Sequence, residues 1–180
     1  MSSPAAFILR PAELRDVAPI VQLIRELAEF EQLTHLLQVT PERLRPHLFG
    51  EKPVAEALVA EVPADTVAQG ESTVVAFALF FTNFSTFLAQ PGLYLEDLFV
   101  RPSHRGAGIG EAVLTRLGRL ALDRGYGRFE WSVLDWNEHA IRFYERLGAT
   151  VLPDWRICRI AGDGLQRFAA EPAAPRHGAA

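Results

Sequence analysis

The chain has 180 residues and a mass of 20.0 kDa, a size typical of one domain, which argues against two independent hydrophobic cores. A formal net charge of -4 excludes the basic surface that nucleic-acid binding requires. The single cysteine excludes an intramolecular disulfide, and no apolar run approaches the ~20 residues of a membrane span. With no export signal in view, we expect a soluble cytoplasmic domain without a membrane segment.

The first hundred residues predict two helices among four strands. A short strand at 7–10 precedes an amphipathic helix at 13–31, in which apolar residues recur at helical spacing. Pro41 opens a second helix that stops at Gly50. Apolar runs then predict strands at 57–62, 73–82 and 93–100, the first two joined by a long polar loop.

A strand, a glycine-rich turn and a helix form the centre of the sequence. Alternate glycines in residues 105–110 allow backbone N–H groups to converge ahead of a helix, which is typical of a phosphate cradle. Arg101 and Arg105 can add positive charge for a pyrophosphate. The dinucleotide pattern would need glycine at Glu111, and the Lys-Ser/Thr pair of a P-loop is absent. A turn that only connects strand to helix is the alternative.

The remaining chain predicts a strand at 128–134, a helix at 137–147 and a last strand at 155–160. Cys158 lies in that last strand, so we expect it to be buried and inert. The ends are rich in Ala, Pro and Gly, which favours flexible tails at 1–5 and 169–180 around one domain at 6–168.

Four blocks of this sequence, 95–100, 105–110, 136–138 and 143–149, resemble the GNAT N-acetyltransferase superfamily in order and spacing. The similarity is closest to the spermidine/spermine (diamine) and thialysine N-acetyltransferase group and spans about residues 7–160. It implies an α/β fold with a twisted, mostly antiparallel sheet flanked by helices. It also implies acetyl-CoA as co-substrate, direct transfer in a ternary complex to a small primary amine such as a diamine, polyamine or thialysine, and a homodimer.

The resemblance also implies roles for particular residues on the donor side. Tyr144 is the implied general acid beside the departing sulfur, although its spacing alone favours a core or boundary tyrosine. The residues that the resemblance assigns to acetyl-CoA, besides Tyr144, are Leu98, Phe99, Val100, Arg105, Gly106, Ala107, Gly108, Ile109, Gly110, Glu111, Asn137 and Ala140.

On the acceptor side, Glu96 is the candidate that accepts the proton of the amine, directly or through water. In an alternating strand Glu96 and Asp97 point to opposite faces, so at most one of them faces the site. The other residues that match substrate-lining positions of the group are Phe30, Glu31, Glu130, Trp131, Ser132 and Asp154. A solvated Glu31 and a core Trp131 stay open as alternatives, and Phe30 stands where the group commonly has tyrosine.

Other chemistries lack support in the sequence. The five histidines have no Cys or acidic partners at metal-ligand spacing, so we expect no metal site. Ser103 and His104 lack the G-x-S-x-G elbow of a hydrolase. Two other functions remain open, which are acetylation of a protein amino group and a non-catalytic acyl-CoA sensor.

Overall fold

The computed structural model describes residues 7–170, and its sheet has five strands in the order β1-β2-β3-β4-β5. Neighbouring strands are antiparallel except β4 and β5, which are parallel. This arrangement confirms the mixed, mostly antiparallel α/β fold. The strands are β1 Ile8–Pro11, β2 Glu56–Glu61, β3 Val74–Ser85, β4 Gln90–Val100 and β5 Arg128–Trp131.

Five α-helices accompany the sheet in the described part of the chain. Thr40 caps the second helix by accepting a hydrogen bond from the Arg43 amide, and Pro41 occupies its first turn, as the sequence predicts. Nothing in residues 7–170 combines the length and hydropathy that a membrane-crossing helix needs. The helices are α1 Val17–Phe30, α2 Pro41–Phe49, α3 Ile109–Asp123, α4 Glu138–Arg146 and α5 Asp163–Ala170.

The chain forms two compact units that divide between Asp135 and Trp136. The first unit contains the sheet, α1, α2 and α3, together with every buried apolar side chain found in the described residues. The second unit contains α4 and α5, and neither helix has a buried residue. The hydrophobic core that fixes the fold therefore lies in the first unit.

The helices α1 and α2 cover one face of the sheet. Their buried side chains pack with Val59, Phe77 and Phe99 in one cluster, in which Phe77 and Phe99 are directly paired neighbours on β3 and β4. Helix α3 packs against β4 and β5 and contributes no residue to that cluster. We infer that α3 lies on the opposite face, so β4 is held between helices.

A buried ion pair joins the first strand to the start of α1. Asp16 is 2% exposed, and its carboxylate accepts a hydrogen bond of 2.6 Å from Arg10, which also pairs with Glu61 on β2 at 2.8 Å. Such a charge is tolerated inside a protein only when it is paired and hydrogen-bonded. The network therefore fixes how α1 leaves the sheet.

The predicted last strand at 155–160 is wrong. Residues 151–160 form no strand, and their side chains are exposed, including Trp155 at 74%. Alternating apolar residues make a strand only where a neighbour pairs with them, and the sheet of the described residues ends at β5. The burial expected for Cys158 depended on that strand and is also wrong, since the thiol is exposed.

The predicted ends differ in part from the structure. Residues 1–5 and 171–180 lie outside the described residues. Residues 169 and 170, assigned to a tail from their alanine content, complete α5, a helix that the sequence analysis did not predict.

Candidate active site

The glycine-rich turn forms an open bend directly before α3. Gly106 and Gly108 both adopt φ of +80°, a conformation that residues with a Cβ rarely take, and Gly108 is the N-cap of α3. Among residues 7–170, apart from each glycine and its chain neighbours, no heavy atom lies within 4 Å of the position that a Cβ would occupy at either glycine. Ile109, 2% exposed, anchors the first turn of the helix. The N-terminus of α3 thus follows an open bend, which fits a phosphate group.

The two arginines expected to add charge at this turn have different surroundings. Arg101 forms an ion pair with Glu26 of α1 at 3.0 Å and donates to the Ser72 carbonyl at 3.3 Å, so its charge is already balanced. Arg105 donates from Nε to the Val100 carbonyl at 3.0 Å. Arg105, which is exposed, is therefore the better placed of the two to contact an anion.

Strand β4 is interrupted at Glu96. Asp97 pairs with Leu79 of β3, whereas the next pair joins Leu95 to Phe80, so Glu96 is an extra residue that forms a bulge. The pairing of β4 with β5 runs from Gly92 to Leu95 and stops there. The five residues 96–100 consequently have no β5 neighbour, and they include the main chain of Leu98, Phe99 and Val100 that the resemblance assigns to acetyl-CoA.

Carboxylates gather on the α1 side of this interruption. Asp97 pairs with Leu79 two residues from the Phe77–Phe99 pair, so it lies on the face that α1 covers. Burial, together with the negative charges of Glu96 and Glu31, raises the pKa of Asp97 from 3.8 to about 6. Burial also raises the pKa of Glu31, which directly follows α1.

Glu96 and Asp97 therefore differ in their surroundings. Glu96 is exposed, whereas Asp97 is partly buried. The bulge breaks the alternation on which the expectation of opposite faces rested. The raised pKa of Asp97 reflects its burial first and then the negative charges of Glu96 and Glu31, a grouping that spacing along the chain does not reveal.

The candidate acceptor residues on β5 and directly after it have specific polar neighbours. Glu130 accepts a hydrogen bond of 2.7 Å from Asn83 and lies 3.1 Å from the Arg128 guanidinium. The Ser132 hydroxyl lies 2.9 Å from the Tyr94 hydroxyl, an ordinary hydrogen-bond distance. These contacts form a polar strip across β3, β4 and β5.

Trp131 has a different environment from its neighbours on β5. Its ring lies 4.9 Å from that of Phe129, two residues earlier on the same face of the strand. Glu130, between them, points to the other face. The predicted stretch of three lining residues is thus divided between the two faces of the sheet.

The second unit holds the remaining candidates. Asn137 caps α4, because its side-chain oxygen accepts a hydrogen bond of 3.2 Å from the Ala140 amide. Tyr144 is partly buried on the same helix, and burial raises the pKa of its phenol. Asp154 is exposed in the irregular segment that follows.

No group of three or more His, Cys, Asp or Glu side chains within residues 7–170 has the arrangement of a metal site. The carboxylates at the interruption of β4 have no histidine or cysteine among the groups that shift the pKa of Asp97. The candidate residues of this site are carboxylates, the main chain of β4 and the open bend before α3.

Comparisons with known proteins identify the family of the chain. The profile of the Acetyltransferase (GNAT) family matches residues 26–149. The chain is 39% identical over 165 residues to thialysine N-epsilon-acetyltransferase of Mus musculus, covering 89% of this chain and 96% of that protein. It is 35% identical to L-ornithine N5-acetyltransferase NATA1 of Arabidopsis thaliana, covering 88% of this chain and 86% of that protein.

A solved structure supports the fold in the same way. The integron cassette protein VCH_CASS6 from the mobile metagenome of V. cholerae superposes with a TM-score of 0.73, at 24% identity, over 92% of this chain and 98% of that one. The family match defines the class of enzyme, because GNAT acetyltransferases transfer an acetyl group from acetyl-CoA. The chain belongs to the GNAT acetyltransferase family and is an N-acetyltransferase related to the thialysine and diamine enzymes.

The raised pKa of Asp97 predicts how its removal changes stability. The pKa of this carboxyl is near 3.8 in the unfolded chain and about 6 in the folded protein. Ionisation of Asp97 therefore destabilises the fold increasingly as the pH rises from about 3.8 to about 6. We expect Asp97→Asn to raise the free energy of unfolding by about 2 kcal/mol at about pH 7.5, and to have no effect below about pH 3.5. Urea unfolding at both pH values measures this difference.

An exposed carboxylate outside this group supplies the control for this measurement. Glu51→Gln, at a residue that is not among the charges acting on Asp97, should change the free energy of unfolding by less than about 0.5 kcal/mol at either pH. A loss of stability in Asp97→Asn at neutral pH would contradict the assignment of a buried, electrostatically disfavoured carboxylate.

Proposed function

We propose that this N-acetyltransferase transfers the acetyl group of acetyl-CoA directly, in a ternary complex, to a primary amine of a small diamino compound. The observation that carries the proposal is the group of three carboxylates, Glu31, Glu96 and Asp97, at the interruption of β4. Their mutual repulsion falls when a cation enters. Relatives named for thialysine and ornithine, both amines with a second charged group, support the same class of acceptor.

The acceptor enters as an ammonium ion, which cannot attack a thioester until it loses a proton. In the proposed reaction Glu96 accepts that proton, directly or through water, since it is exposed and adjoins the partly buried Asp97. Asp97 is a second candidate for this role because its pKa of about 6 is close to the operating pH. Glu31 attracts and orients the amine.

The residues proposed to line the acceptor also include Glu130 and Ser132 of the polar strip. Asn83 and Tyr94 hold these two side chains, which can contact the end of the acceptor far from the reacting amine. Trp131 and Asp154 extend this proposal from the resemblance. Asp154 is the one acidic residue between Ala149 and Trp155, which favours a short diamine over a long polyamine, because each unpaired ammonium group of a long acceptor would lose hydration.

On the donor side, acetyl-CoA supplies the acetyl group as a thioester. We propose that the loop from Arg105 to Glu111 binds its pyrophosphate, with backbone N–H groups and the α3 N-terminus as donors. The main chain of Leu98, Phe99 and Val100, unpaired on the β5 side, is proposed to hold the arm. Asn137 and Ala140 would contact the arm further along.

Tyr144 is the proposed general acid. A raised pKa keeps its phenol protonated at neutral pH, so it can donate a hydrogen bond as negative charge develops on the departing sulfur. A hydrogen bond of this kind is stronger in the transition state than in the ground state. Its loss should therefore lower kcat more than it weakens binding.

A panel of amines at fixed acetyl-CoA tests the proposed function. We expect free thiol release with thialysine, ornithine and short diamines, and kcat/KM at least about ten-fold lower for spermine, because long polycations find too few carboxylates. Peptides carrying a free N-terminus or a lysine serve as the comparison. Turnover of peptides but not of small amines would favour a protein acetyltransferase, and binding of acetyl-CoA without any turnover would favour a sensor.

The role of Tyr144 predicts a specific loss of rate. We expect Tyr144→Phe to lower kcat by about ten- to hundred-fold while the KM for acetyl-CoA changes by less than about two-fold. Tyr126→Phe is the matched control, because that hydroxyl bonds to Thr82 on the sheet and is assigned no part in the reaction. Equal effects of the two substitutions, or a Tyr144→Phe enzyme with normal kcat, would remove Tyr144 from the mechanism.

We also propose that the protein is a cytoplasmic homodimer. The second unit exposes Trp155 at 74%, Ile157 at 69% and Phe168 at 67%, and exposed apolar surface of this kind favours association. The exposed thiol of Cys158 is consistent with a reducing compartment.

Sedimentation velocity tests the homodimer. We expect the wild-type chain to sediment as a dimer and the double variant Trp155→Ser, Ile157→Ser to shift to monomer, because the loss of two buried apolar side chains costs several kcal/mol of association free energy. Phe87→Ser, at a side chain 93% exposed on the β3–β4 hairpin, is the control. Dissociation by the hairpin variant alone would contradict the assignment to residues 151–160.

A further inference from the structure

Phe30, the last residue of α1, contacts Arg105, the first residue of the glycine-rich loop at 105–110. The guanidinium carbon of Arg105 lies 5.3 Å from the centroid of the Phe30 ring and 5.6 Å from that of Phe99. Both distances are within the range of cation–π attraction. The guanidinium is thus stabilised by two rings, one from α1 and one from the buried end of β4.

A hydrogen bond fixes the orientation of the same side chain. Nε of Arg105 donates to the Val100 carbonyl at 3.0 Å. No hydrogen-bond partner within residues 7–170 engages its two terminal amino groups. The two rings and the Val100 carbonyl therefore hold the plane and the Nε side of the guanidinium. Its two terminal nitrogens stay available for a bidentate contact with phosphate.

A second contact fixes α1 against the same segment. Glu26, four residues before Phe30 and so on the same face of the helix, pairs with Arg101 at 3.0 Å. Arg101 and Arg105 flank residues 102–104, which directly precede the glycines of the loop. Both ends of this short segment therefore lie against one face of α1. The position of the Phe30 ring relative to Arg105 is therefore fixed by two independent contacts.

We propose that Phe30 is a positioning residue for the donor: it acts through Arg105 to hold a charged donor group toward the pyrophosphate of coenzyme A. This inference rests on the proposed binding of pyrophosphate by the loop. It assigns Phe30 a task different from the acceptor contact that the resemblance implies. A tyrosine at this position would keep the ring and hence the interaction with Arg105.

Binding of coenzyme A to the full chain, measured by calorimetry, tests the proposal without requiring turnover. We expect Phe30→Leu to raise the Kd for coenzyme A about three-fold, because leucine fills space but has no ring face. Phe30→Tyr, which keeps the ring, should have the Kd of the wild-type chain. Phe49→Leu is the matched control, since Phe49 ends α2 and is 38% exposed, compared with 43% for Phe30. That control should leave the Kd unchanged.

Two further measurements separate positioning from a general structural effect. In an Arg105→Gln background Phe30→Leu should have no further effect on the Kd, because the ring then has no cation to hold. In turnover assays Phe30→Leu should lower kcat/KM for acetyl-CoA about three-fold. It should leave kcat/KM for S-acetylpantetheine unaltered, because that donor lacks the pyrophosphate.

The proposal is overturned if Phe30→Leu raises the KM for the amine and leaves the Kd for coenzyme A unaltered, since the ring would then belong to the acceptor pocket. It is also overturned by an equal loss in the Arg105→Gln background. Absence of acetyl transfer to every amine would instead count against the proposed function and would leave the calorimetric result intact.

Discussion

The site depends on the point where β4 stops pairing with β5. A buried strand normally satisfies its backbone groups on both sides, yet among the described strands only β3 pairs with residues 96–100. The bulge at Glu96 lies where the β4–β5 ladder ends, so one irregularity both turns the strand and frees its edge. The fold tolerates this edge because Phe99 anchors the strand in the α1/α2 cluster.

Two regions of opposite electrostatic character lie close together near this interruption. The N-terminus of α3 and the exposed guanidinium of Arg105, which packs against Phe30 and Phe99, favour an anion. Glu31 and Asp97 form the other region, in which burial raises both pKa values and so disfavours negative charge. Phe30 and Glu31, adjacent at the end of α1, connect the two regions, since one contacts Arg105 and the other adjoins Asp97.

Local patterns predicted most of the first unit, because helical spacing, Pro41 and the glycines of the loop act over a few residues. The contact of Phe30 with Arg105 joins positions 75 apart in number, so it depends on packing that no local pattern records. The bulge at Glu96 was also hidden, because the sequence of β4 does not record the register of its pairing with β3. The cap formed by Asn137 could have been predicted, since asparagine directly before a helix is a recognisable N-cap signal. The resemblance assigned Asn137 only to the acetyl-CoA arm.

The charge of the acceptor changes during the proposed reaction, and the carboxylates respond to that change. An ammonium group relieves the repulsion among Glu31, Glu96 and Asp97 and lowers the pKa of Asp97 while it is bound. Acetylation converts the amine into a neutral amide and leaves its proton on Glu96. Once Glu96 releases that proton to solvent, the repulsion returns and the pKa of Asp97 rises again toward about 6. The product consequently has less attraction to the site than the substrate had. An acidic site of this kind therefore favours both capture of a cation and release of its acetylated product.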